Sequence, residues 1–301
     1  MKGIFSLMLL VLGVSFAQFA NAKLEIFACE PEWASLANAL GGEAVSVTSA
    51  TTARQDPHHI QARPSLIAKV RRADLLVCSG AELEIGWLPM LQRQGGNPKV
   101  MSGQKGYFEA AKQVERLEVP KDVDRAMGDV HASGNPHVHL DPRRLLTIAK
   151  ALSERMVELD PGNGDFFKTR WEGFAQRWRR SIAVWEEAAE PLKGIRLVVH
   201  HRDWVYLFDW LQIVNAGSLE PKPGLPTTAG HLANLKQTLA QNPAKAVIHT
   251  HYQSPKAAKR FSELSGIKVI ELPYTVGGGE GVDDLYSLFD VTLKRLLESV
   301  Q

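Results

Sequence analysis

From residue 23 onward, short apolar runs alternate with stretches of helical periodicity. Residues 24–29, 44–50, 74–78 and 99–101 read as strands, and 32–40, 65–73 and 84–94 between them read as helices. Strands separated by helical patterns signal a parallel sheet covered by helices, because parallel neighbours need a crossover that returns the chain to the same edge. An amphipathic helix follows over 143–159 and stops at Asp160-Pro161-Gly162. After Gly194 the alternation resumes, with strands at 195–199, 213–216, 244–249 and 267–272 and helices at 205–211, 228–240, 256–264 and 283–298.

The segment between these halves has a different pattern. Phe167, Trp171, Phe174, Trp178, Ile182, Trp185, Ala189 and Leu192 follow one another at steps of three or four. That spacing keeps one apolar stripe on a single helix of about 25 residues, roughly 38 Å long. Asn163 or Asp165 is placed to cap its start, and Glu190-Pro191 and Gly194 mark its end. A Trp-rich helix in mid-chain reads as a strut between two lobes, the alternative being one more core helix of a single large domain. The expected fold class is therefore α/β, with two Rossmann-like lobes of mostly parallel sheet joined by one long rigid helix. The expected divisions are an N-terminal lobe at 23–162, the linking helix at 163–193 and a C-terminal lobe at 194–301. Open sheets of this kind bind ligands at the carboxyl ends of their strands, which makes the crevice between the lobes the default site.

Residues 1–22 read as a cleaved secretory signal peptide. Lys2 supplies the positive start, Ile4 to Phe16 the apolar run, and Ala20-Asn21-Ala22 the small-x-small cleavage site. The apolar run is too short to favour a membrane span, which needs about 20 residues. No cysteine follows it, so the expectation is a periplasmic protein that is not a lipoprotein. In such an oxidising compartment Cys29 and Cys78, each ending an apolar run, either pair or remain two buried thiols. Two cysteines are too few for a disulfide scaffold or an all-thiolate zinc site. A net charge of +2, with no long run of one sign, argues against nucleic-acid binding.

The candidate chemistry lies in ten histidines. Asp56-Pro57-His58-His59 follows the second strand, Asn135-Pro136-His137-Val138-His139 precedes the helix at 143, and His200-His201 ends the first strand of the second half. His249 and His251 flank a later strand end, His131 lies in a Gly-rich approach, and His231 lies in a helix. Imidazole is a standard zinc ligand, and a proline just ahead of His58 and His137 stiffens the loop that must present each one. Neighbours on an extended backbone point opposite ways, so at most one of 58/59 and one of 200/201 faces a metal. His137 and His139 share a face on the same reasoning.

In this order the motifs resemble the periplasmic zinc and manganese receptors of ABC importers, the ZnuA/TroA type. Asp56-Pro57-His58 with Arg63-Pro64-Ser65 is similar to that family's D-P-H-x-Y-x-x-x-P-S loop, and Ala73-Asp74-Leu75 to the strand after it. Asn135-Pro136-His137-Val138-His139-Leu140-Asp141-Pro142 resembles its D/N-P-H-x-W-L-x-P signature, and His201 with Trp204 and Tyr206 its H-x-x-F-x-Y segment. The resemblance implies metal ligands His58, His137 and His201, with His59 and His200 as supporting neighbours and His139 in place of a tryptophan. It implies a high-affinity, non-enzymatic, monomeric receptor that carries Zn²⁺, with Mn²⁺ second, to an inner-membrane ABC permease. A periplasmic metallochaperone is the other partner it suggests. Three histidines favour zinc, since the manganese members replace the third with a harder carboxylate.

The chain departs from the family pattern in three places. Many zinc members carry a long His/Asp/Glu-rich loop before the second ligand; here only Gly128-Asp129-Val130-His131 stands there, so capture by such a loop is not expected. The family's C-domain carboxylate falls near Glu271-Leu272-Pro273, where the register gives Leu272, so the fourth ligand is Glu271, a carboxylate of the 277–284 loop, or water. The second half also lacks the cysteines of some zinc members.

Two other functions fit three histidines. One is a zinc hydrolase or lyase, with a water at an open fourth position; no H-E-x-x-H or G-x-S-x-G motif supports it. The other is a metal-chelate receptor on the same scaffold.

Overall fold

The computed structural model describes residues 22–122, 128 and 131–300. The leader reading of 1–22 therefore lies outside the described residues apart from Ala22.

The first lobe is built on β1 (Leu24–Ala28), β2 (Val45–Ser49), β3 (Leu75–Cys78) and β4 (Tyr107–Glu109), with α1 (Pro31–Gly41), α2 (Pro64–Arg72) and α3 (Leu88–Gly95) between them. All pairings are parallel, in the order β2-β1-β3-β4. β3 is buried on both faces, as a central strand between helical layers must be. α1, α2 and α3 each have a proline in the first turn, where a missing N–H leaves no helical bond unmade.

α4 (Pro142–Leu159) leads into α5 (Gly164–Ala189), and the second lobe follows. It comprises β5 (Arg196–Val199), α6 (Val205–Leu211), β6 (Val214–Ser218), α7 (Ala229–Leu239), β7 (Ala246–Thr250), α8 (Lys256–Ser265), β8 (Lys268–Leu272) and α9 (Leu285–Val300). Its sheet is again parallel, in the order β6-β5-β7-β8. Two such sheets, helix-covered, make the α/β two-lobe architecture.

The aromatic stripe explains α5. Phe167, Phe174, Trp178 and Trp185 are buried within one apolar cluster that runs from Trp33 and Leu36 of α1 through α5 to Leu288 and Phe289 of α9. Each indole N–H finds an acceptor. Trp178 Nε1 donates to the Pro142 carbonyl at 2.8 Å, and Trp185 Nε1 to Asp290 Oδ1 at 2.6 Å. The helix is thus fixed along its length to elements of both lobes, which leaves little freedom for hinge motion about it.

Two element expectations need correction. The strand placed at 99–101 is absent; Pro98–Val100 is a single 3-10 turn, and β4 pairs with β3 further on. The helix expected over 84–94 starts only at Leu88, because the chain leaving β3 first makes a left-handed turn at Gly80, Ala81 and Glu82. Of the two alternatives for the cysteines, pairing is found: Cys29 and Cys78 form a disulfide across the carboxyl ends of β1 and β3, with Cα atoms 4.8 Å apart.

Candidate metal site

Three histidines from separate segments meet in the crevice. His58 follows Asp56-Pro57, and Asp56 Oδ1 accepts both the His58 backbone N–H at 2.9 Å and ring Nδ1 at 2.8 Å. The loop is held down by Trp87, whose Nε1 donates to the Pro57 carbonyl at 2.8 Å. Asn135 sets the second segment in the same way, its Oδ1 accepting the His137 N–H at 3.1 Å. Residues beyond the linking helix hold it as well: Asn135 Nδ2 donates to the Arg202 carbonyl at 3.0 Å, and the Tyr206 hydroxyl donates to the Asn135 carbonyl at 2.7 Å. Arg202 also pairs with Glu118. His201 stands just beyond β5, where the strand order of the second sheet reverses.

The ring centroids of His58 lie 5.8 Å from those of both His137 and His201, and His137 and His201 are 6.5 Å apart. In each ring Nδ1 is engaged by an oxygen: Asp56 Oδ1 for His58, the Tyr274 hydroxyl at 2.6 Å for His137, and Glu220 Oε2 at 2.7 Å for His201. An imidazole that donates Nδ1–H to such a partner keeps its Nε2 lone pair for a metal and has its ring orientation fixed.

Two further groups join these, both missed as site residues by sequence reasoning. His131 stacks on His58 at 5.4 Å, and one nitrogen each of His58, His131 and His137 lie within 4.8 Å of one another. Ligand atoms of His137, His201 and Asp203 form a second set at the same spacing, with Asp203 Oδ1 3.6 Å from His137 Nε2. Asp203 is fully buried and held by Gln253 Nε2 at 3.1 Å and the Tyr252 hydroxyl at 3.3 Å. The Nε2 atoms of His58 and His131 are buried without a hydrogen-bond partner. A buried nitrogen lone pair of that kind is costly unless something electropositive takes it, and this donor set fits a divalent cation.

The remaining candidates lie elsewhere. His59 is exposed, while His139 is fully buried under the site, its Nε2 3.0 Å from the Tyr274 carbonyl and its Nδ1 3.3 Å from Glu32 Oε1. The expected shared face of His137 and His139 fails because Val138–Leu140 is a 3-10 turn, in which residues two apart point about 120° away from each other. His249 Nδ1 contacts the Thr250 carbonyl at 2.8 Å. His200, His249 and His251 fall outside the groups gathered around His137. Glu271 is exposed and Leu272 buried, and neither Glu271 nor a carboxylate of the 277–284 loop joins the cluster. Cys29 and Cys78 lie near Glu84, but as a disulfide they offer no thiolate.

The charges are arranged for a cation. Burial, and then the neighbouring His58 and His201, push His131 down to about 4. Burial and the other imidazoles push His137 well below the ordinary range. Burial also pulls on His201, but the Asp203 charge and the Glu220 hydrogen bond outweigh it and raise this imidazole to about 9.

Comparison with known proteins shows the family and the fold. Residues 26–299 match the family model of the zinc-uptake complex component A, periplasmic, ZnuA. The manganese ABC transporter substrate-binding lipoprotein PsaA of Streptococcus pneumoniae is 21% identical over 93% of this chain and 90% of its own length. A crystal structure of ZnuA superposes with a TM-score of 0.78 at 21% identity, covering 93% of this chain and 100% of that one. A zinc-bound deletion mutant of ZnuA gives 0.77 at 21% identity, over 93% and 98%. One expectation is overturned by these relatives. They include substrate-binding lipoproteins, which are membrane-anchored, so the expectation of a protein that is not a lipoprotein does not hold. The missing cysteine after the apolar run was its sole physical basis. An α/β crevice of converging imidazoles, within a match that spans nearly the whole chain, gives the assignment: the chain belongs to the ZnuA family of metal ABC transporter substrate-binding proteins, receptors that serve a membrane permease and are not enzymes.

Proposed function

We propose that the cargo of this receptor is Zn²⁺, held through Nε2 of His58, His137 and His201, with His131 and Asp203 completing the set. The observation that carries this reading is the donor chemistry: among the described residues, the groups gathered around His137 offer four imidazoles and the Asp203 carboxylate. Nitrogen-rich sites of this kind suit zinc, whereas manganese, the harder ion, prefers carboxylate and water oxygens. The relatives include both a protein named for manganese and a zinc-bound structure, so the preference rests on this chain's own ligands. In the frame of lobes at 23–162 and 194–301 joined by 163–193, His58, His131 and His137 belong to one lobe and His201 and Asp203 to the other. The cation then bridges the two. Competition titration of the metal-free protein with Zn²⁺ and Mn²⁺ tests the reading. Zinc is expected to bind more tightly by orders of magnitude, and equal or tighter manganese binding would overturn it.

A further inference from the structure

The chain leaving β3 passes through three successive left-handed residues, Gly80, Ala81 and Glu82, with φ of 73°, 47° and 71°. Glycine adopts this conformation freely, but Ala81 and Glu82 do not. A non-glycine pair held there needs surroundings that over-determine it, and such outliers cluster at functional sites. The turn is braced from behind by Glu84, whose carboxylate accepts the Ser79 N–H at 2.7 Å and the Gly80 N–H at 3.1 Å. Its effect is to aim the Glu82 side chain at the segment that carries His131. There Glu82 Oε2 accepts the Ala132 N–H at 2.8 Å, and Oε1 lies 3.4 Å from the Ser133 hydroxyl. The same segment closes on itself through Gly134 N–H to the His131 carbonyl at 3.0 Å.

We propose that Glu82 is a positioning residue for His131: its carboxylate clamps the two residues after His131, seats that imidazole against His58, and so sets how long the bound metal stays. The inference rests on the reading of His131 as a metal ligand. Glu82 touches no metal and acts only through the placement of that ring. This gives the strained turn a purpose, because a relaxed turn would carry the side chain off in another direction.

The experiment is a chelator chase of zinc-loaded protein, following the rate of zinc loss in wild type, Glu82→Ala, Glu82→Gln, His131→Ala and the Glu82→Ala/His131→Ala double variant. Loss from Glu82→Ala is expected to be about 10-fold faster or more, the range seen when a supporting partner of a ligand is removed. Glu82→Gln, whose amide oxygen still accepts the Ala132 N–H, should recover most of the difference. In the His131→Ala background, Glu82→Ala should add nothing. If His131→Ala leaves the rate at the wild-type value, the ligand reading of His131 falls. If His131→Ala accelerates loss but Glu82→Ala does not, the positioning role of Glu82 falls alone. Equal acceleration by Glu82→Ala with and without His131 would mark a general structural effect and overturn the proposal. Should Glu82→Ala fail to fold, Glu82→Asn, which tolerates the left-handed backbone and is one methylene short of the Ala132 N–H, breaks the same clamp and gives the same reading of outcomes.

Discussion

The Tyr274 hydroxyl sits 2.6 Å from Nδ1 of His137 and ties a ligand candidate of the first lobe to the strand end of the second. Tyr274 is buried beside Trp204 and Tyr252, so its hydroxyl has little room to leave. When a metal takes Nε2 of His137, Nδ1 carries the proton and donates to this oxygen. Tyr274→Phe removes the acceptor while keeping the ring. Zinc affinity should fall by about 10- to 100-fold, with the lobes still folded. A competition titration beside a circular dichroism melt separates the two effects; unchanged affinity would mean that the hydroxyl does not orient His137.

Asp203 supplies the carboxylate of the group it forms with His137 and His201, and Asp203→Asn removes its charge while keeping an oxygen toward Gln253 and Tyr252. Both metals should bind more weakly. Manganese should lose more than zinc, because the harder ion depends more on the anionic oxygen. Titrating wild type and variant with each metal gives the ratio directly, and a larger loss for zinc would exclude Asp203 as the oxygen donor.

His201 governs the pH dependence. Its imidazole is raised to about 9, so the metal-free receptor holds a proton there at neutral pH. His131, at about 4, and His137, lower than the ordinary range, hold none. Metal must displace the His201 proton, so affinity should rise with pH until about 9 and then level off. At pH 7 this residue should release about one proton per metal bound. The sign for folding follows from linkage: a raised folded value stabilises the metal-free protein fully below 6.5, and that contribution is lost as pH rises through about 9. Calorimetry in buffers of different ionisation enthalpy counts the protons. Proton uptake on binding, or none at all, would contradict this account.

Much of the fold and of the site is legible in the sequence. The aromatic stripe from Phe167 to Leu192 is a long-period signal, and it defines α5 to within a few residues. Asp-Pro-His and Asn-Pro-His are local devices in which the leading side chain accepts the histidine N–H, so their form is visible in three letters. What failed depended on backbone turns that leave little trace in sequence. The 3-10 turn at Val138–Leu140 sends His139 into the core, although two-residue spacing suggested a shared face. Asp203 falls at an unspecified position of the H-x-x-F-x-Y-like segment, and its complete burial beside Gln253 and Tyr252 is what marks it out. An extended backbone through His201 would have put residues 201 and 203 on one side, and that was the available signal. The segment of His131 is too short to read as the family's long acidic and histidine-rich loop, yet the Glu82 contact to Ala132 holds the short segment in place beside His58.

The central claim is that imidazoles from both lobes grip one cation together. Zinc titration of the protein beside His58→Ala, His201→Ala and His59→Ala tests it most directly, because the first two variants remove one ring from each lobe and the third removes the exposed neighbour. The account predicts one zinc per chain, a loss of affinity by orders of magnitude in His58→Ala and His201→Ala alike, and near wild-type binding in His59→Ala. Wild-type affinity in either His58→Ala or His201→Ala, or an equal loss in His59→Ala, would contradict it.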